Sequence, residues 1–148
     1  MSSEEDAEFG KAADEIQAAI EKEAEILYSK KVIIEANNPQ NVGRMAEPDG
    51  AGEITGPCGD TMEFYLKVKD GIIEQISFYT DGCGTTIACG SMTTRLVMGM
   101  GVKEARKLTN QDIINALDGL PEENLHCAKL AADTLQAAIN NYLDRKEE

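Results

Sequence analysis

Residues Thr61–Thr80 limit what this chain can fold into more than any other stretch. In Thr61–Lys69 the apolar residues Met62, Phe64, Leu66 and Val68 alternate with Glu63, Lys67 and Lys69. A period of two places the apolar set on one face of a strand. Asp70-Gly71 is the pair that a two-residue hairpin turn favours, and Ile72–Thr80 then reads as the returning strand. An antiparallel pair with one apolar face needs cover, and the rest of the chain has to supply it as helix.

That helix is readable on both sides. Phe9, Ala13, Ile16, Ile20, Ala24 and Leu27 recur at steps of three and four, which predicts a helix over residues 4–36, stopped by Asn37-Asn38-Pro39. Residues 40–57 are rich in glycine and proline and read as loop, with one short strand around Glu53–Thr55. Downstream of the hairpin, Gly84–Met98 reads as a helix ended by Gly99 and Gly101, and Val102–Leu108 as a short one. Thr109-Asn110-Gln111-Asp112 resembles a capping box opening a helix through Leu117. Gly119-Leu120-Pro121 breaks it. A last helix runs from Pro121–Glu123 to about Arg145, with Ala128, Ala131, Leu135, Ile139 and Tyr142 as its apolar stripe. The expected class is α+β: a small three-stranded antiparallel sheet, covered on one face by helices, with an extended N-terminal helix.

Charge and composition exclude several functions. A net charge of −13 without a Lys/Arg cluster is the wrong sign for a phosphate backbone, so no nucleic-acid partner is expected. No apolar run is long enough to span a bilayer, and Met1–Asp6 lacks the basic and apolar regions of a signal peptide. A soluble, cytoplasmic protein is the expectation, with no membrane partner. The four cysteines would then stay reduced, which points to metal or thiol chemistry rather than disulfides.

Three of those cysteines sit at turns with polar or flexible neighbours: Cys58 in Gly56-Pro57-Cys58-Gly59-Asp60, Cys83 in Asp81-Gly82-Cys83-Gly84, and Cys127 beside His126, the chain's one histidine. In a closed hairpin the turns carrying Cys58 and Cys83 lie at the same end of the sheet. Cys83 and Cys127 also fall near helix N-termini, where free N–H groups favour thiolate. Soft thiolates select zinc, copper(I) or iron–sulfur species, and three cysteines with Asp60 or His126 make up a set of four. The ligands are far apart in sequence, unlike the paired knuckles of a structural zinc site. Cys89 lies six residues after Cys83, about 240° around a helix, and is expected to be a core thiol facing away from the site. Lys129 is expected to be a solvated charge.

These motifs resemble the U-type scaffold family of iron–sulfur cluster assembly, from the Isc and Nif systems. The similarity runs from about Tyr28 to the C-terminus, through Tyr28-Ser29-Lys30-Lys31-Val32-Ile33, Asn38-Pro39-Gln40-Asn41-Val42-Gly43, Cys58-Gly59-Asp60, Gly82-Cys83-Gly84-Thr85-Thr86-Ile87-Ala88 and His126-Cys127. It implies a helical extension over 1–27 and an iron–sulfur scaffold domain over 28–148. The resemblance implies that Cys58, Cys83 and Cys127 receive sulfur and hold the nascent cluster. Asp60 would be an exchangeable ligand that keeps it labile, and His126 an alternative or fourth ligand. By the same resemblance the chain is no enzyme. It would take persulfide sulfur from a cysteine desulfurase, bind iron, build a [2Fe–2S] or [4Fe–4S] cluster, and pass it to apo-proteins.

The match has departures. Leu120-Pro121-Glu122-Glu123-Asn124 stands where bacterial Isc members carry Leu-Pro-Pro-Val-Lys for an Hsp70-type chaperone, which weakens the expectation of that partner. Cys89 is additional to the family pattern. The insertion of the zinc-dependent Suf-type relatives is lacking, and the histidine they lack is present. Two rival readings remain: a zinc-binding sulfur acceptor, with zinc the metal of the isolated protein, and a metal-free adaptor with core thiols. Because one chain offers three thiols, a cluster shared between copies is compatible with a dimer or trimer.

Overall fold

A computed structural model describes residues 28–147. Its centre is the hairpin. β1 (Gly50–Thr55), β2 (Thr61–Lys69) and β3 (Ile72–Thr80) form an antiparallel sheet in the order β1-β2-β3. The turn between β2 and β3 is Asp70-Gly71, with φ of 54° and 76°, the doubly left-handed geometry that matches the twist of the paired strands. The β2 alternation holds: Met62, Phe64 and Leu66 are fully buried. β3 breaks strict alternation, since Ile73, Ile76 and Phe78 are the buried set. The register shifts between Lys67 and Val68, so that Lys67 faces Gln75 while Val68 faces Ile73. That bulge restores the inward face across the odd spacing.

Five α-helices and one 3-10 turn complete the described residues: α1 (Lys30–Asn37), α2 (Gly84–Val97), α3 (Val102–Ala105), α4 (Asn110–Ala116), the 3-10 turn Glu122–Asn124, and α5 (Leu125–Glu147). α5 lies across β1 and β2, α2 packs on β3, and α1 packs on α2. The first strand is longer than its sequence signal, Gly50–Thr55 rather than Glu53–Thr55, because its glycines serve packing rather than strand propensity. A Cβ on Gly52 would come within 2.5 Å of the Ala138 nitrogen, and one on Gly50 within 2.7 Å of the Ala138 oxygen. The backbone of α5 therefore rests directly on the backbone of β1. On the other side, a Cβ on Gly90 would lie 2.5 Å from the Phe78 ring, so α2 sits equally close to β3.

The N-terminal expectation needs correction. Residues 4–27 of the expected helix lie outside the described residues, but a single helix through residue 36 is ruled out at Ser29. Ser29 is extended (φ −65°, ψ 161°) and its side chain accepts from the Val32 N–H, so it caps a new helix at Lys30. The same hydroxyl donates to the carbonyl of Leu117 at the end of α4. On the inner face of α1, the buried Glu35 accepts from Ser91 and pairs with Arg95, both on α2. The capping box at Thr109 and Asp112 is present as expected. Among the described residues no helix is long and apolar enough to cross a membrane.

The close helix–strand contact gives a direct test. Gly52→Ala forces one backbone away from another, since no flexible side chain is available to yield. Overpacking of this kind costs about 1–3 kcal/mol, so the thermal midpoint should fall by on the order of 5–10 °C. A midpoint within a degree of the parent in differential scanning calorimetry would contradict the packing described for α5 on β1.

Candidate metal centre

Each candidate ligand is set by local backbone chemistry at one edge of the sheet. The β1–β2 connection is a turn in which Gly59 N–H bonds to Gly56 O at 3.0 Å. Pro57 and Cys58 are its two central residues, and Gly59, at φ +90°, takes the conformation that leads the chain back. Cys58 is thus exposed at the tip. The return is closed by Gly56 N–H to Asp60 O at 2.8 Å, which fixes Asp60 at the root of the turn.

The β3–α2 connection lies alongside, as the closed hairpin requires. Asp81 Oδ1 accepts from the Thr61 N–H at 2.8 Å, and Thr80 Oγ1 donates to the Thr61 carbonyl at 2.6 Å. These bonds tie the two ligand-bearing turns together. Cys83 is the N-cap residue of α2 (φ −73°, ψ 179°), at the end of the helix whose first N–H groups have no partner within it. It opens onto a cleft of about 320 Å³, lined also by Tyr28, Val32, Ala36 and Thr85. Cys127, two residues into α5, is 1% exposed. His126 beside it is exposed, with Nε2 at 3.6 Å from the Cys127 sulfur.

The residue that joins these groups carried no functional signal of its own in the sequence. Thr86, fully buried one turn into α2, places Oγ1 3.0 Å from Asp60 Oδ2, 3.4 Å from Cys127 Sγ and 3.7 Å from Cys83 Sγ. The available clue was its spacing, three residues after Cys83 at a helix start, which places it on the same face. Gly82 makes the approach possible: a Cβ there would lie 2.7 Å from Thr86 Cβ and 2.9 Å from Asp60 Oδ2. Asp60, Cys83 and Cys127 are brought to one point. Cys58 and His126 stand at its exposed margin. Among the described residues, no three His, Cys, Asp or Glu side chains form a preformed metal cage. The donor set suits a soft metal or cluster, but the donors meet a hydroxyl rather than one another.

The thiols differ in charge state. Burial opposes the Cys83 thiolate, but bonds from the backbone and side chain of Thr86 and from the Thr85 backbone outweigh it, holding the thiol below its ordinary pKa. For Cys127 burial wins. It raises the pKa, against the help of the Thr86 hydroxyl and with that of negative charge at Cys83, Cys58 and Asp60. The helix-terminus argument therefore holds for Cys83 and fails for Cys127, whose own side chain is buried. Cys89 is a fully buried core thiol, and burial drives its pKa far up. Charge at Cys127 and Cys83 adds to that shift, so Cys89 lies behind the site rather than remote from it. Lys129 pairs with Asp133 on the exposed face of α5 and takes no part.

Comparison with known proteins bears on the family and the fold. The family model of the NifU-like N terminal domain matches residues 27–148. The iron–sulfur cluster assembly scaffold protein IscU 1 of Archaeoglobus fulgidus is 46% identical over 117 residues, covering 78% of this chain and 76% of that protein. IscU of Escherichia coli is 43% identical over 125 residues, covering 81% of this chain and 97% of that protein. In structure, the N-terminal part of a NifU-like protein from Brucella abortus superposes with a TM-score of 0.60 at 23% identity, over 80% of this chain and 95% of that one. That last likeness bears on the fold alone.

The thiol environments predict an order of reactivity in the metal-free protein. The thiolate is the reactive form. A pKa below the ordinary value keeps Cys83 reactive as pH falls, whereas a raised pKa and burial delay Cys127. Pulse alkylation across pH, read by peptide mass spectrometry, should give a lower midpoint for Cys83 than for Cys127, with Cys89 unlabelled until unfolding. The reverse order for Cys83 and Cys127 would refute the assignment.

Proposed function

The chain belongs to the NifU-like N-terminal domain family, and from that membership and the geometry of its thiol edge we propose that it assembles a labile iron–sulfur cluster and hands it on. Its role is that of a scaffold for iron–sulfur cluster assembly rather than an enzyme, and the cluster is its cargo. The observation that carries the finer reading is the meeting of Asp60, Cys83 and Cys127 from three separate segments at the buried Thr86 hydroxyl. Cys58 and His126 complete the donor set at its exposed margin.

Cys83 is the first sulfur acceptor in this reading. It is exposed, it favours thiolate, and it opens on a cleft. Its thiolate attacks the terminal sulfur of a desulfurase persulfide. The sulfur–sulfur bond of the donor breaks, a new one forms at Cys83, and the desulfurase thiolate leaves. Conversion of that sulfur to sulfide takes two electrons from an external reductant. Cys58, Cys83 and Cys127 supply soft ligands to iron, and Asp60 supplies a hard, exchangeable one that favours release. The products are a [2Fe–2S] unit, or a [4Fe–4S] cluster, passed to apo-proteins in the cytoplasm. Residues 1–27 form an extension to the scaffold domain at 28–148.

Zinc binding at the same donors is the second reading, favoured by the thiol-rich set with His126 alongside. Anaerobic reconstitution with a cysteine desulfurase, cysteine, ferrous iron and a reductant separates the two. The expected result is a brown protein with visible sulfur-to-iron bands. Ala at Cys58, Cys83 or Cys127 should each lower cluster loading at least several-fold, while Cys89→Ala loads as the parent does. Asp60→Ala should prolong the lifetime of the loaded cluster. A colourless protein retaining one equivalent of zinc would replace this reading with the second, and loss of loading in Cys89→Ala alone would refute the ligand set.

A further inference from the structure

We propose that the Thr86 hydroxyl is a latch on the site: it donates to the Asp60 carboxylate and competes with a metal for it. The proposal rests on the reading of Asp60, Cys83 and Cys127 as donors and adds a residue that sets how firmly they hold. Three facts lead to it. The atom at the meeting point of the donors is Thr86 Oγ1, with Asp60 Oδ2 at 3.0 Å, Cys127 Sγ at 3.4 Å and Cys83 Sγ at 3.7 Å. The donors contact this oxygen, yet no three of the described ligand-type side chains form a cage. And Thr86 is fully buried, so water cannot readily take over its hydrogen bonds.

The hydroxyl has one proton and can donate to only one partner at a time. Donated to Asp60, it stabilises the carboxylate in the metal-free protein, and a metal on that carboxylate has to compete with the bond. The turn is built for this contact. Gly82 leaves no Cβ in the space where Thr86 and the Asp60 carboxylate meet. Withdrawal of the hydroxyl is also within the chemistry of the position. A threonine in a helix divides between two χ1 wells because Oγ1 can turn to the carbonyl three or four residues back. From Thr86 the carbonyl available in the helix is that of Cys83, the N-cap residue. The latch can then open by one side-chain rotation with its proton still bonded.

An outer-shell hydroxyl that supports a metal site has the opposite effect, since loss of such a partner weakens metal affinity by about 10–100-fold. The sign of the change therefore decides. The informative pair is Thr86→Ala and Thr86→Ser, which share the missing methyl group and differ only in the hydroxyl. Zinc serves as the probe of the donor set, titrated into the metal-free protein against a chromophoric chelator under reducing conditions. Thr86→Ala should bind zinc on the order of tenfold more tightly than Thr86→Ser, the scale of one hydrogen bond to a charged group, with Thr86→Ser close to the parent. In an Asp60→Asn background the difference between the two should shrink, because the hydroxyl acts through the carboxylate. Thermal unfolding of each metal-free variant controls for folding, and Thr86→Val, which keeps the packing volume, replaces Ala should Ala not fold. Equal affinities, weaker binding by Ala than by Ser, or no zinc binding by any of the proteins would overturn the latch. Cluster loading by the parent protein tests the scaffold reading separately, so failure of one is distinguishable from failure of the other.

Discussion

Antiparallel pairing of β2 with β3 is the constraint on which the site depends. The Asp70-Gly71 turn closes one end of the pair. The chain must therefore enter β2 and leave β3 at the other end, and both ligand-bearing connections are forced onto one edge of the sheet. Asp81 and Thr80 then pin the two connections to Thr61. The third thiol arrives by a different route. α5 can place Cys127 at that edge because Gly50 and Gly52 let its backbone lie against β1. A larger residue in β1 would lift the helix and move Cys127 away from Asp60 and Cys83, which the hairpin holds in place. Sheet register and helix approach are thus separate conditions on the same constellation.

The constellation is uneven by construction. Cys83 sits at a helix start where hydrogen bonds from Thr85 and Thr86 favour its thiolate, and the Cys127 side chain is buried. Both are near helix N-termini in sequence, but burial and hydrogen bonding work against each other and a different one prevails at each. The consequence is a division between an exposed thiol held below its ordinary pKa and a sheltered thiol held above it. Cys89 extends the gradient inward and is the limiting case, where burial is the largest cause of the raised pKa.

Much of this was legible in the sequence. The hairpin bounds, the capping box at Thr109 and the shared edge of the Cys58 and Cys83 turns follow from local rules of period and turn type. What escaped depends on contacts between distant residues. Ser29 looked like one more position in a helical repeat, and becomes a cap because its hydroxyl also reaches Leu117. β1 was read too short because Gly50 and Gly52 have poor strand propensity, and only the nearness of α5 explains their place. The Cys127 environment needed the packing of α5, and the role of Thr86 needed all three partners in space.

Lability in a soft-metal site calls for an explanation, because thiolates bind such metals firmly once they are gathered. A permanent zinc site gathers four good ligands on short knuckles and leaves nothing between them. Here three donors come from three elements whose positions are fixed independently, and a buried hydroxyl stands where they meet. On the latch proposal, binding displaces the Thr86 hydrogen bond to Asp60, and release restores it. The same bond that opposes loading thus favours unloading, so the empty state is a satisfied one rather than a set of unpaired buried groups. Under the proposed function, in which the cargo leaves, a site that is stable without its cargo is as much a requirement as one competent to hold it.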